Sequence, residues 1–230
     1  MYGISNVGKY DDETKKMLDK VYDDYKCLYN SDTMAKISND LCHYDIENNI
    51  KIPDDEQKDA FVKVYVFLKN GMGLNTHQIA GVMGNLHAES AILPDNVENR
   101  VVDREHNRGQ YTYKTGDDVG FGLLQWTNFI RKENLYEMAK SMAFSNGDTD
   151  IENALWDINV QLAYFKKEMT TELNLLDDYK SSWEKIESAK TYNEVSDIFL
   201  KEIEQPISWA SQITVRRGLS KKIYDLLIEL

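Results

Sequence analysis

GNLHAESAILP, residues 84–94, closes an apolar helical run and then stops it. Set Ile79 at zero on a helical wheel that turns about 100° per residue. Met83 then falls at about 40°, Leu86 at about 340°, Val82 at about 300° and Glu89 at about 280°. Glu89 borders the apolar face. It also stands in the last turn, where exposed carbonyls repel an anion. Partial desolvation and the negative helix end both favour the protonated form of an acid placed there. A carboxylic acid that keeps its proton near neutral pH is what general acid catalysis requires. The plain alternative is a surface glutamate at the edge of the face.

Composition sets the frame for that residue. The chain has 230 residues and a net charge of −12. Residues 1–70 carry 14 acids and 10 bases, residues 71–230 carry 25 and 17, so no tail holds the excess. An acidic surface spread in this way excludes non-specific nucleic-acid binding. Three prolines, 14 tyrosines and four tryptophans read as a folded chain. The opening MYGISNVGKYDDETKK has no apolar core of a signal peptide, and no apolar run is long enough for a membrane span. Cys27 and Cys42 are two thiols or one disulfide, and they lack zinc-site spacing. His77, His87 and His106 do not form an HExxH pattern. No metal or other cofactor is expected.

The rest of the pattern is helical. Apolar residues at spacings of three and four predict a helix over 11–30, and a short one is expected around 33–42. Pro53 suits a helix start, and Phe61, Val64, Tyr65 and Leu68 continue that helix to Gly71-Met72-Gly73. The composition break there divides an N-terminal helical segment or cap, 1–70, from a main domain, 71–230. Asn75 or Thr76 caps the next helix. RGQYTYKTGDD, 108–118, alternates aromatics and threonines and predicts a small β-hairpin or extended loop. Ile151, Leu155, Ile158, Leu162, Phe165 and Met169 form the core stripe of one long helix. Further helices fit 178–189, 191–204 and 213–229. The fold class expected is mainly α, with a small hairpin or loop region.

A second stretch adds chemistry. DDVGFGLLQWTNFIR, 117–131, joins Gly120 and Gly122, where backbone can approach a ligand, to Gln125 and Trp126. An amide for hydroxyls beside an aromatic platform suits a sugar. The plain alternative is a tryptophan buried in a helix junction.

Together the two stretches resemble the phage tail lysozymes. Gly84, Asn85, Glu89, Ser90 and Pro94 match the first motif. Gly120, Gly122, Gln125, Trp126, Thr127 and Arg131 match the second. The run Glu202-Ile203-Glu204-Gln205-Pro206, with Arg216 or Arg217 beyond it, is similar to the family's ending. Glu89-Ser90 followed by a Gly-Leu-x-Gln-type segment is also distantly similar to goose-type lysozymes and lytic transglycosylases.

The resemblance spans about 75–228 and implies a lysozyme-like helical fold. It implies cleavage of the β-1,4 bond between N-acetylmuramic acid and N-acetylglucosamine, with Glu89 as the acid. Gln125, Trp126, Thr127, Gly122 and Tyr113 are the expected substrate-binding residues. Asp117, Asp118 and Glu98 are the candidates for a second carboxylate, because hydrolysis needs a base or nucleophile. A lytic transglycosylase needs no such base. A lysozyme-like binding module without activity is the reading from another class. The expected partners are a peptidoglycan strand and phage tail proteins. The expected location is the virion, or the host cytoplasm before release through a holin.

Overall fold

Asn75 starts the helix on which the domain is built. Its side chain accepts from Gln78 N (3.2 Å), and Gln78 Oε1 accepts from Asn75 N (2.9 Å), a reciprocal capping box. The computed structural model describes residues 54–98, 111–170 and 179–228, with Lys15, Lys16 and Asp19. The expected helices at 11–30 and 33–42, and both cysteines, lie almost wholly outside the described residues.

Among the described residues eight α-helices form the fold, and none belongs to a β-strand. They are α1 (Asp54–Val66), α2 (Thr76–Ser90), α3 (Phe129–Ser145) and α4 (Ile151–Leu155). They continue with α5 (Ile158–Thr170), α6 (Tyr179–Ser188), α7 (Tyr192–Ile198) and α8 (Trp209–Leu227). No helix among the described residues is long and apolar enough to cross a membrane.

Helix α2 is the centre. From Gln78 to His87 every residue is buried, which is the signature of a helix enclosed on all sides. α8 and α7 pack against it. Gly84 is what lets α8 come so close. A Cβ there would meet Ser220 N at 2.7 Å and Ser220 Cα at 2.8 Å, backbone that cannot swing aside. Asn85 ties α2 to α7, its Nδ2 reaching Gly81 O at 2.9 Å and Ser196 O at 3.3 Å. The Gly-Asn pair of the opening stretch is therefore a crossing device.

The structure bears on three expectations. Ala60, Phe61, Val64, Tyr65, Phe67 and Leu68 lie in the same hydrophobic core as α2, α5 and α8, so the core runs through the composition break at 71–73. The long helix from Ile151 is two, because Trp156 ends α4 and Asp157 Oδ1 accepts from Asn159 N (2.8 Å) at the entry to α5. The apolar stripe is continuous in space but not in backbone. Of the hairpin or extended loop expected over 108–118, residues 111–118 form the loop, in which Tyr111 and Tyr113 turn toward Lys132. Two isolated antiparallel bridges, Val97 with Phe121 and Phe121 with Trp126, are the β contacts found there.

Gly84→Ala tests the crossing. Overpacking against backbone costs about 1–3 kcal/mol, read as a lower urea midpoint at unchanged slope. Gly218→Ala on the same α8, where nothing lies within 4 Å of the added methyl, gives no loss.

Candidate active site

Beyond its buried stretch α2 opens to solvent again at its C-terminal end, where Glu89 stands with its side chain 22% exposed. Arg216 of α8 crosses to meet it. Arg216 Nη2 donates to Glu89 Oε1 in a short ion pair and to Gln212 Oε1 at 2.8 Å. Arg216 Nη1 donates to Asn85 O at 3.0 Å and lies 2.8 Å from Glu204 Oε2. One guanidinium thus holds two carboxyl groups.

Glu204 is the deeper of the two, its side chain 5% exposed. The contact with Arg216 is one of charge. The aligned hydrogen bond of that nitrogen goes to Asn85, and neither Glu204 oxygen accepts an aligned one. Burial, and then the charge of Glu89, push the Glu204 carboxyl well above the usual carboxylate range despite Arg216. The backbone delivers Glu204 through a π-helical turn, Phe199–Glu204, that continues α7. Phe199, Leu200 and Ile203 anchor that turn in the interior.

Backbone strain marks the same places. The non-glycine residues with positive φ, among those described, are Ala91 (55°), Ile92 (62°), Gln125 (48°) and Gln205 (50°). Two follow Glu89-Ser90, one lies in the second motif and one follows Glu204. For a β-branched residue such as Ile92 this conformation is a true outlier. Strain of this kind costs about 1–3 kcal/mol per residue and gathers at functional sites.

The second motif is bound to the end of α2. Ser90 Oγ lies within hydrogen-bond reach of Leu123 O (3.0 Å) and Leu86 O (3.1 Å). Gln161 of α5, fully buried, accepts from Leu123 N (2.9 Å) and donates to Pro94 O (2.7 Å) and Leu155 O (2.8 Å). It passes so close to Gly122, which has φ 72°, that no side chain fits there.

The contacts of the residues expected to bind substrate are as follows. Trp126 is 0% exposed and donates to Glu168 Oε2 at 3.2 Å, so it offers no face to a sugar. Gln125 Nε2 is spent on Asn96 O (3.1 Å) and Gly122 O (3.0 Å). Tyr113 donates to Lys132 O (2.7 Å) and packs edge-on against Phe121. Gly122 is buried, and Thr127 is exposed. The exposed indole is Trp209, 42% exposed, at the start of α8. It lies seven residues before Arg216 and so on the same face of the helix.

The loop acids also separate. Asp117 forms a short ion pair with the buried Lys132 and accepts from Tyr111 OH (3.0 Å). Burial pushes its carboxyl up, but the hydrogen bonds from Lys132 and Tyr111 win and hold it below the usual range. Glu98 Oε2 accepts from Gly120 N at 3.1 Å. Asp118 is exposed. None of these contacts brings a loop acid to Glu89; the carboxyl that reaches it is Glu204.

Residues 59–227 match the phage tail lysozyme family. The chain belongs to that family. No curated protein and no solved structure matches it significantly. As a tail lysozyme it is a lysozyme-like, phage-associated protein of the peptidoglycan-hydrolase kind that acts at the cell wall. The matched span begins at 59 and so takes in the buried part of α1, in keeping with the shared core. An open hollow of about 510 Å³ between α6 and α7, lined by Ser181, Lys185 and Glu194, contains none of the lysozyme motif residues.

Three residues of this lysozyme domain escaped the sequence reading as individuals. Glu204 appeared only within a matched run. Gln161 and Glu168 each directly precede a residue of the apolar stripe, Leu162 and Met169, and carry no motif signal of their own. Glu168 is instead a buried hub, bound by Arg131 Nε (2.6 Å) and Nη2 (2.8 Å), Tyr164 OH (3.1 Å) and Trp126. The charge and hydrogen bonds of Glu168 hold the Arg131 guanidinium above its ordinary value, although burial opposes this.

Asp117→Asn separates structure from chemistry. It leaves Lys132 buried without its anion, a loss on the order of 3 kcal/mol at neutral pH. Because the folded carboxyl titrates below the unfolded one, that stabilisation is full above the unfolded pKa of about 3.9 and disappears as pH falls through the depressed value. Urea unfolding at a series of pH values is expected to show wild type and variant converging in acid. Divergence that grows in acid would contradict the assignment.

Proposed function

We propose that this tail lysozyme cleaves the β-1,4 bond between N-acetylmuramic acid and N-acetylglucosamine, with Glu89 as the general acid. The observation that carries the reading is the position of Glu89. It is the acidic side chain of α2, at the helix end just past the buried stretch from Gln78 to His87, clamped by Arg216 and followed by strained backbone. A proton delivered from Glu89 to the glycosidic oxygen lets the C1–O bond break as the sugar takes on oxocarbenium character. Arg216 fixes the carboxyl in one orientation for that transfer.

Trp209 takes the platform role that buried Trp126 does not fill. It is 42% exposed at the start of α8, seven residues before Arg216, with Lys201 Nζ 4.8 Å from the ring centroid, and an indole beside polar groups suits the C–H face of a sugar. Of the loop acids, Asp117 and Glu98 are engaged by Lys132 and Gly120, which favours a second outcome for the same bond. In that outcome the muramic 6-hydroxyl attacks C1, as in a lytic transglycosylase, and no water-activating carboxylate is needed. Asp118 serves as the base if water attacks.

The place of action is the virion, carried on the phage tail and used at entry. The same chemistry would serve an enzyme released at lysis through a holin. A net charge of −12 gives no attraction to an anionic wall, so tethering to tail proteins would supply the local concentration. Residues 1–70, most of which precede the matched span, are the proposed docking segment.

Digestion of purified peptidoglycan, with fragments read by mass spectrometry, tests the reading. Wild type releases new glycan ends, and Glu89→Gln loses at least about 100-fold of the rate, the scale of a general acid. Reducing muramic ends identify a hydrolase, and anhydro-muramic ends a transglycosylase. A fully active Glu89→Gln contradicts the assignment, and an inactive wild type on several wall types favours a binding module. Trp209→Ala is expected to raise KM by about tenfold with kcat little changed, as loss of one platform contact predicts.

A further inference from the structure

Two carboxyl groups and one guanidinium meet at the end of α2, and the charges do not balance. Arg216 carries one positive charge against Glu89 and Glu204. The other cation whose field reaches Glu204 is Arg131 on α3, and its hydrogen bonds are committed to Glu168 of α5. Two carboxylates on one guanidinium would leave an uncompensated negative charge in a largely buried place. Both Glu204 oxygens are buried and accept no aligned hydrogen bond. A buried carboxylate in that state is costly, whereas a protonated one can bond to its neighbour.

We propose that Glu89 and Glu204 share a single proton at neutral pH, and that Glu204 is the positioning residue that stores it and loads Glu89 for the glycosidic bond. This rests on the reading of Glu89 as the general acid. Two arrangements of the same proton are electrically equivalent. In one, Glu204 is the carboxylic acid and the Glu89 carboxylate pairs with Arg216. In the other, Glu89 is the acid and the Glu204 carboxylate pairs with Arg216 through the 2.8 Å contact.

Glycan settling over the site excludes water from Glu89, the more exposed partner, and disfavours its charge. The proton then moves from Glu204 to Glu89 without a net charge entering or leaving the pair. Glu89 passes it to the leaving oxygen, which takes the bonding electrons of C1–O. Attack on C1 by water, or by a sugar hydroxyl, releases one proton, which restores the pair. Like-charged carboxyls that cannot both ionise behave in this coupled way, and their titration belongs to the pair.

The test is the pH profile of kcat/KM for wild type, Glu204→Gln and Glu204→Asp on purified glycan fragments. Alongside it, difference infrared spectroscopy of the protein without substrate reads the protonated-carboxyl band. In wild type the band is present at neutral pH. Glu204→Gln removes the stored proton, so the band is lost and the alkaline limb moves to lower pH by about one unit or more. Activity of that variant survives on the acid side. Glu204→Asp, which still offers a carboxyl, keeps a limb close to wild type.

A merely structural Glu204 would lower the whole profile and leave the limb in place, and that result overturns the proposal. So does the absence of the protonated-carboxyl band from wild type, a reading that needs no variant to fold. A fully active Glu89→Gln would instead overturn the assignment of Glu89 itself, and thus is distinguishable from failure of the shared proton alone.

Discussion

One guanidinium organises the open end of this domain. Arg216 sits where α8 crosses α2, and its two terminal nitrogens reach Asn85 O, Glu89, Glu204 and Gln212. That arrangement depends on the close approach of the two helices, which depends in turn on Gly84 having no side chain. It also depends on the π-helical turn after α7, which brings Glu204 inward, and on the left-handed Gln205 that ends the turn.

A second constraint holds the far wall. Glu168 gathers Trp126, Arg131 and Tyr164, and Gln161 clamps both Pro94 and Leu123. Residues that looked like ligand contacts in the second motif are largely the joints of this wall. The glycines and the tryptophan give the segment a fixed shape against α5, and Ser90 fastens it to the end of α2. The motif as folded is a frame that joins α5 to the end of α2. Fixed backbone next to strained residues is what a preorganised site requires.

Much of this was legible in the sequence. Such signals were readable because they are local: Asn75 caps the helix it precedes, and the expected stop at Gly73 falls at positive φ. The position of Glu89 at the edge of the apolar face followed from periodicity alone. What sequence periodicity could not supply was tertiary. A tryptophan next to glutamine reads the same whether it faces solvent or Glu168. The stripe from Ile151 to Met169 keeps helical spacing across the break at Trp156-Asp157, because core packing constrains side chains and not backbone continuity. Glu204 and Arg216 are 115 and 127 residues from Glu89, so no window contains the cluster. Glycines at 71 and 73 mark a turn, while the core on either side is one.

The most direct test of the central claim is a crystal structure of Glu89→Gln bound to a peptidoglycan glycan fragment. The result expected is a glycosidic oxygen within hydrogen-bond distance of the residue 89 side chain, with Arg216 still bridging to Glu204 and the glycan running past Trp209. A fragment bound on another face of the domain, or an Arg216 turned away from Glu204, would contradict it.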